Sequence, residues 1–313
     1  MSKPTPPPPG LYAPALTFFN GDETIDWDST TKHLQRLLRS GVRGLVILGT
    51  NGEAAHLLRD ERIEAVRHAR SVIQQEGSDA VVVAGCSAHS VRETLSLIDD
   101  AVGAGAEYAL TLVPSYWPGA MTKPVIESFF AQVAEKSPVP VLIYNNPAAM
   151  AGIDLDSDTV VRISKQSPNV VGVKLSCGSA GKLNRLVASV DLASFAPFCG
   201  KADVLLAGVV GGSRWAISAL ANVAPRALVE VFRLCEAGRL DEAREVQWTL
   251  ALGDAALNKV GVSGAKKVCA EWFGYGSTKV RAPLPEAGDG AFSAARDDLQ
   301  RLVELEKKLT ASG

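Results

Sequence analysis

Short runs of apolar, largely β-branched residues alternate along this chain with longer segments in which apolar positions recur every three or four residues. The short runs fall at 13–18, 44–48, 81–85, 108–113, 139–144, 170–174, 194–199 and 215–218. Their length and near-uniform apolarity predict strands buried on both faces, as in a parallel sheet. Between them, 29–40, 60–75, 90–103, 123–137 and 156–166 start on polar residues and carry an apolar stripe, which predicts amphipathic helices. Strands alternating with helices predict repeated βα units. Eight such strands predict an α/β fold closed into a (β/α)8 TIM barrel. An open, doubly wound sheet is the structural alternative, but no Gly-x-Gly-x-x-Gly follows the first strand, which disfavours a dinucleotide fold. From about residue 239 the strand signals stop, and 240–252, 258–270 and 292–309 read as helices. The expected organisation is a Pro-rich leader without a fold of its own at 1–10, a barrel at 11–238 and a helical domain at 239–313.

Charge narrows the function classes. With 32 Lys and Arg against 34 Asp and Glu, the net charge of -2 provides no basic field, so no nucleic-acid partner is expected. The start, MSKPTPPPPG, lacks an apolar signal core, and no run of ~18 apolar residues offers a bilayer span. The expectation is a cytoplasmic protein with no membrane partner. The five cysteines, Cys86, Cys177, Cys199, Cys235 and Cys269, are odd in number and widely spaced, and read as reduced thiols. His33, His56, His68 and His89 show no metal-ligand spacing, so neither a metal nor another cofactor is expected. His56 reads as a helix-start or supporting residue.

Candidate chemistry sits where the strands end, because barrel enzymes assemble their sites from the C-terminal ends of several strands. Lys174 closes the run Val170-Val171-Gly172-Val173-Lys174. An ammonium among apolar neighbours loses solvation, its pKa falls, and a nucleophilic amine able to form a Schiff base with a ketone becomes accessible. The alternative is a lysine that caps its strand and faces solvent. Tyr144 ends the preceding strand, before Asn145-Asn146-Pro147 turns the chain away. Imine chemistry moves protons at several steps, and a phenol beside the lysine can carry them. A core tyrosine with a satisfied hydroxyl is the alternative there. The second strand ends in Gly49-Thr50-Asn51-Gly52-Glu53, whose glycines allow backbone N–H groups to converge on a carboxylate, with the Thr50 hydroxyl facing the pocket. An ordinary tight turn with Glu53 opening the next helix remains open. Cys177 has no histidine partner in its motif and reads as packing. Gly208-Val209-Val210-Gly211-Gly212 lacks the Gly-Lys-Ser/Thr ending of a P-loop. It reads as the entry to the eighth strand, with glycines that leave room for a substrate to approach the backbone.

In order and spacing, Gly49-Thr50-Asn51-Gly52-Glu53, Tyr144-Asn145-x-Pro147, Gly172-x-Lys174 and Ala221-Asn222-Val223-Ala224-Pro225 resemble the dihydrodipicolinate synthase and N-acetylneuraminate lyase family of class I aldolases. The resemblance runs from about residue 11 into the C-terminal helices. It implies an eight-stranded barrel with a helical C-terminal domain, assembled as a homotetramer of two dimers and acting on a small 2-keto acid. It further implies that Lys174 forms the Schiff base, that Tyr144 relays the proton with the Thr50 hydroxyl, and that Thr50 and Asn51 hold the keto-acid carboxylate. Tyr116 matches the tyrosine that family members insert into a neighbouring subunit. Ile217 falls at an apolar pocket position, and Gly200 where a backbone carbonyl approaches the ligand.

One departure separates this chain from the synthase pattern. An arginine expected a few residues after Tyr-Asn-x-Pro is replaced by Ala148-Ala149-Met150-Ala151-Gly152, which removes a bidentate carboxylate clamp. The Thr50-Asn51 pair and Ser176, a pocket residue by the same resemblance, are closer to the eukaryotic 4-hydroxy-2-oxoglutarate and 2-keto-3-deoxy sugar-acid aldolase branch. The expected reaction is aldol cleavage releasing pyruvate. Synthase-type condensation of pyruvate with an aldehyde, and a family member that binds a keto acid without catalysis, are the two alternatives.

Overall fold

A computed structural model describes residues 4–311. Eight strands, β1 (Gly10–Pro14), β2 (Gly44–Ile47), β3 (Val81–Gly85), β4 (Tyr108–Leu112), β5 (Val141–Asn145), β6 (Val170–Leu175), β7 (Ala196–Cys199) and β8 (Trp215–Ile217), are parallel and close into a barrel, with β1 pairing both β2 and β8. Around it lie α1 (Trp27–Leu38), α2 (Arg59–Gln75), α3 (Val91–Gly103), α4 (Lys123–Lys136), α5 (Ser157–Gln166), α6 (Ala180–Ser189), α7 (Leu205–Val210) and α8 (Pro225–Glu236). Short polar residues start several of these helices. The side chains of Asp26, Ser90, Asp156 and Ser179 accept from the Ser29, Glu93, Thr159 and Lys182 amides, satisfying N–H groups that a helix start leaves without an intrahelical partner.

Alternate strand residues fill the barrel interior, where Tyr12, Val46, Val83, Leu110, Leu142, Phe198 and Trp215 form one buried cluster. Tyr12 and Phe198 meet edge to face at 5.4 Å and make an aromatic floor at the N-terminal end. The polar tips of that floor find backbone partners in the proline run, Trp215 Nε1 donating to the Pro7 carbonyl at 2.8 Å and Tyr12 Oη to that of Pro8 at 2.6 Å. This part of the expected leader is therefore tied to the barrel, and its first three residues lie outside the described residues. β1 starts at Gly10 rather than at 13, because Gly10 and Leu11 already pair with Trp215 and Ala216 of β8. Residues 15–18 stay buried but leave the ladder after Pro14.

The glycine-rich stretch 208–212 ends α7 and leads into the N-terminal end of β8, opposite to the strand ends where a substrate would sit. The expectation that its glycines admit substrate is thereby corrected. They are needed for packing on α6, since a Cβ on Gly211 would lie 2.1 Å from Asn184 Oδ1 and one on Gly208 2.8 Å from Leu183 Cδ2.

Beyond the barrel, α9 (Leu240–Phe273) and α10 (Asp289–Ala311) pack on each other and on α8. Their Leu250, Val268, Leu299 and Leu302 belong to the same apolar cluster as the outer face of the barrel. α9 breaks at Gly261 (φ 62°, ψ -156°), where the sequence suggested a break around 253–257. Gly253 lies inside the helix because Leu302 of α10 lies against it, 2.8 Å from where a Cβ would stand.

Candidate active site

A register shift aims the lysine inward. Val141 pairs with Val170, but the next β5 residue, Leu142, pairs with Gly172, so Val171 is an extra residue in β6. Such a bulge bends its strand and can re-aim a side chain. Val171 joins the interior cluster, and Gly172 and Lys174 follow it on the inner face. Gly172 has no room for a side chain, because a Cβ would stand 2.6 Å from the Ala196 carbonyl and 2.9 Å from Leu142. Lys174 rises above it, 3% exposed, with Nζ 4.1 Å from the centre of the Tyr144 ring. Tyr144 is its ladder partner on β5 and is 5% exposed.

The Tyr144 hydroxyl is the hub of the site. It lies 3.2 Å from Thr50 Oγ1 and accepts from Asn146 Nδ2 at 3.1 Å. Burial pushes the phenol up, but the positive charge of Lys174 and hydrogen bonds from Thr50, Lys174 and Ser176 outweigh it and hold the group below its ordinary 10.0. Ser176 thus faces the phenol from the end of β6. Ile217, fully buried, packs in the interior cluster with Tyr144. A cavity of about 480 Å³ opens over this group, lined by Thr50, Tyr144, His56, Arg62, Ala149 and Leu284 among others. Its volume is in the range of small-molecule sites. Ala149, in the segment that stands in place of the expected synthase arginine, lines the cavity, and the adjoining Met150 is buried in the core.

Not every expected residue joins them. Asn51 is half-buried and does not line this cavity, and Lys174, Ser176 and Ile217 reach its wall only through Tyr144, which does. Gly200 is a packing requirement, since a Cβ there would stand 2.3 Å from the Leu175 carbonyl. Tyr116 is 69% exposed on its own chain, beside Trp117 and His89. Among the described residues no group of three or more His, Cys, Asp or Glu is placed to hold a metal ion, and no helix is long and apolar enough to cross a membrane.

The loop after β2 divides its work. Thr50 faces the phenol, whereas Glu53, in a left-handed conformation (φ 54°), turns away and is buried. One Glu53 oxygen pairs with Lys266 of α9 at 2.5 Å and the other accepts from the Arg281 amide at 2.9 Å. Lys266 also donates to the Lys279 carbonyl at 2.6 Å. The Arg281 guanidinium in turn grips both oxygens of Glu61 and the His56 carbonyl. The segment after α9 is thereby fastened over the loop and carries Leu284 to the cavity wall. His56 closes the turn Ala54–His56, with Nδ1 3.8 Å from Glu53 Oε2 and no hydrogen-bond partner. Two motif asparagines are struts. Asn145 bridges Asp154 and the Leu155 amide, and Asn222 links His33 to the Pro14 carbonyl.

Sequence reasoning missed Lys266, Arg281, Asn146 and the cavity residues Arg62, Ser87 and Leu284. A signal existed for Lys266, a charge on the buried stripe with Ala265, Val268 and Cys269. For Ser87, just past the end of β3, the rule of reading every strand end would have sufficed.

With that geometry in place, the model of the dihydrodipicolinate synthetase family matches residues 7–302. The chain belongs to that family. A Coccidioides immitis protein provisionally named a mitochondrial 4-hydroxy-2-oxoglutarate aldolase is 44% identical over 85% of this chain and 84% of its own. L-threo-3-deoxy-hexylosonate aldolase of Hypocrea jecorina is 38% identical over 96% and 98%. The crystal structure of YagE, an E. coli K12 prophage protein of the dihydrodipicolinic acid synthase family in complex with pyruvate, is 27% identical and superposes with a TM-score of 0.85 over 94% of this chain and 98% of that one. The mitochondrial names among such relatives overturn the expectation of a cytoplasmic protein.

Proposed function

We propose that this chain is a carbon–carbon lyase that forms a Schiff base on Lys174 and cleaves a 2-keto-3-deoxy sugar acid or 4-hydroxy-2-oxoglutarate. The observation that carries the reading is the buried Lys174 amine against the Tyr144 phenol at the mouth of the barrel. The Lys174 amine attacks the C2 ketone, and the carbinolamine takes the Tyr144 phenol proton and loses water, leaving a protonated imine and a Tyr144 phenolate. That phenolate, in a site that holds Tyr144 below its ordinary pKa and hydrogen-bonded to Thr50, takes the proton of the C4 hydroxyl as the C3–C4 bond breaks. The bonding electrons run into the imine, leaving an enamine of pyruvate and a free aldehyde. Protonation at C3 and hydrolysis release pyruvate and restore the amine.

The substrate carboxylate sits at the Thr50 and Asn51 end of the loop, because the Gly52 and Glu53 amides are spent within the turn on Gly49 and Thr50 carbonyls. Ser176 and Ile217 shape the pocket, and the backbone at Gly200 approaches the ligand. Tyr116, exposed on its own chain, completes the proton relay of a neighbouring copy in a homotetramer. The names of the relatives support the cleavage reaction and a mitochondrial setting, and the pyruvate bound to YagE supports the keto-acid portion. The missing arginine argues against aspartate semialdehyde as acceptor. Borohydride reduction in the presence of pyruvate tests the proposal. A mass increase on the peptide bearing Lys174 is expected, together with pyruvate release from five- to seven-carbon 2-keto-3-deoxy acids. An unmodified Lys174 sinks the lyase reading and leaves keto-acid binding without catalysis.

A further inference from the structure

On the outside of the barrel, remote from Lys174, a second cavity of about 540 Å³ lies among α1, α8 and α10. Its wall carries Lys32, Arg36, Arg39, Arg226 and Lys307 against a single carboxylate, Glu306. Lys32 and Arg39 are compensated by Asp28 and Glu76. Arg36 is not. Its guanidinium lies over the Phe273 ring at 4.1 Å and donates only to neutral acceptors, the Tyr275 hydroxyl and the Asn222 and Val223 carbonyls. Arg226 likewise donates to a neutral carbonyl, that of Arg39. Glu306 cannot serve them fully, since its two oxygens are spent on the Arg226 and Ala227 amides at the start of α8. Two guanidinium groups thus share at longer range one carboxylate that is already committed to backbone amides, and an anion entering from solvent would supply the charge they lack.

We infer that this cavity binds a small polyanion, a phosphate ester or a polycarboxylate, held by Arg36, Arg226 and Lys307 over the apolar floor of Phe273. The inference is independent of the chemistry at Lys174. Calorimetric titration of the full chain with pyrophosphate and with citrate, in about 150 mM NaCl to screen diffuse attraction, tests it. Saturable binding of at least one probe is expected, and its identity separates the phosphate from the carboxylate class. Arg226→Gln and Lys307→Ala, both outside the proposed catalytic machinery, should each weaken it by about tenfold, the worth of one charge-assisted contact. Absence of saturable binding by both probes, or affinity unchanged in both variants, overturns the site.

Discussion

Lys266→Met asks whether the C-terminal helices merely flank the barrel or hold the loop after β2 in place. Both side chains of the Lys266–Glu53 pair are fully buried. Methionine approximates the lysine stem, so the change removes a charge and little volume. It leaves the Glu53 carboxylate buried with the Arg281 amide as its remaining close donor, and it strips the Lys279 carbonyl of its ammonium. Breaking one side of a buried ion pair costs about 3–5 kcal/mol. For a chain of this size that corresponds to a fall in melting temperature on the order of 5–8 °C. Adding Glu53→Gln removes the stranded charge while keeping an acceptor for the Arg281 amide. The double variant should therefore recover about 1–3 kcal/mol relative to Lys266→Met alone, a coupling typical of contacting residues. Thermal and urea melts of the wild type, both single variants and the double variant close the cycle. A loss below about 1 kcal/mol for Lys266→Met, or strictly additive effects, would refute the latch.

Three further outcomes follow from particular contacts. Tyr144→Phe removes the hub hydroxyl, so kcat should fall by about 10²–10⁴-fold while borohydride trapping of pyruvate persists, and a pH profile should lose an inflection lying below 10.0. Gly200→Ala places a Cβ 2.3 Å from the Leu175 carbonyl and should destabilise the fold by about 1–3 kcal/mol in denaturant titrations, whatever its effect on turnover. Asp254, buried in α9 with Asp203 nearby and Lys201 in partial compensation, is raised chiefly by burial from 3.8 to about 6. A raised acid contributes stability that is present below pH 3.8 and lost as pH rises through about 6. Asp254→Asn should thus gain about 2–3 kcal/mol near pH 7 and nothing near pH 3.5, read from urea midpoints across that range.

The barrel was legible because its strands are buried on both faces and so read as unbroken apolar runs, and because each ends beside a turn signal. Lys174, Tyr144 and Thr50 were legible for the same reason, being polar residues at the ends of such runs. Position along a strand does not settle direction, however. By simple alternation from Val171, Val173 would face inward and Lys174 outward. The bulge that reverses this is visible only once β5 and β6 are paired. Glycines misled in a related way. Gly253 and Gly211 are required by close neighbours distant in sequence, and no local pattern tells such a glycine from a helix breaker or a substrate contact. Buried polar struts escaped because their partners lie far along the chain, 213 residues away for Glu53 and Lys266.

That long separation explains why a five-residue motif needs the whole chain. A loop of small residues between two glycines is flexible when isolated, and a hydroxyl that must meet a phenol at 3.2 Å cannot be left to a flexible loop. The loop is held at three points by different parts of the chain: the Gly52 carbonyl accepts from Thr17 Oγ1 after β1, a Cβ-free Gly85 on β3 lets the Leu48 carbonyl come close, and Glu53 is clamped by α9 and the segment behind it. The C-terminal helices are therefore as much a part of the site as the strand that bears the lysine. Truncation before α9 would remove the clamp on Glu53 and uncover the apolar outer face of the barrel that α9 and α10 share.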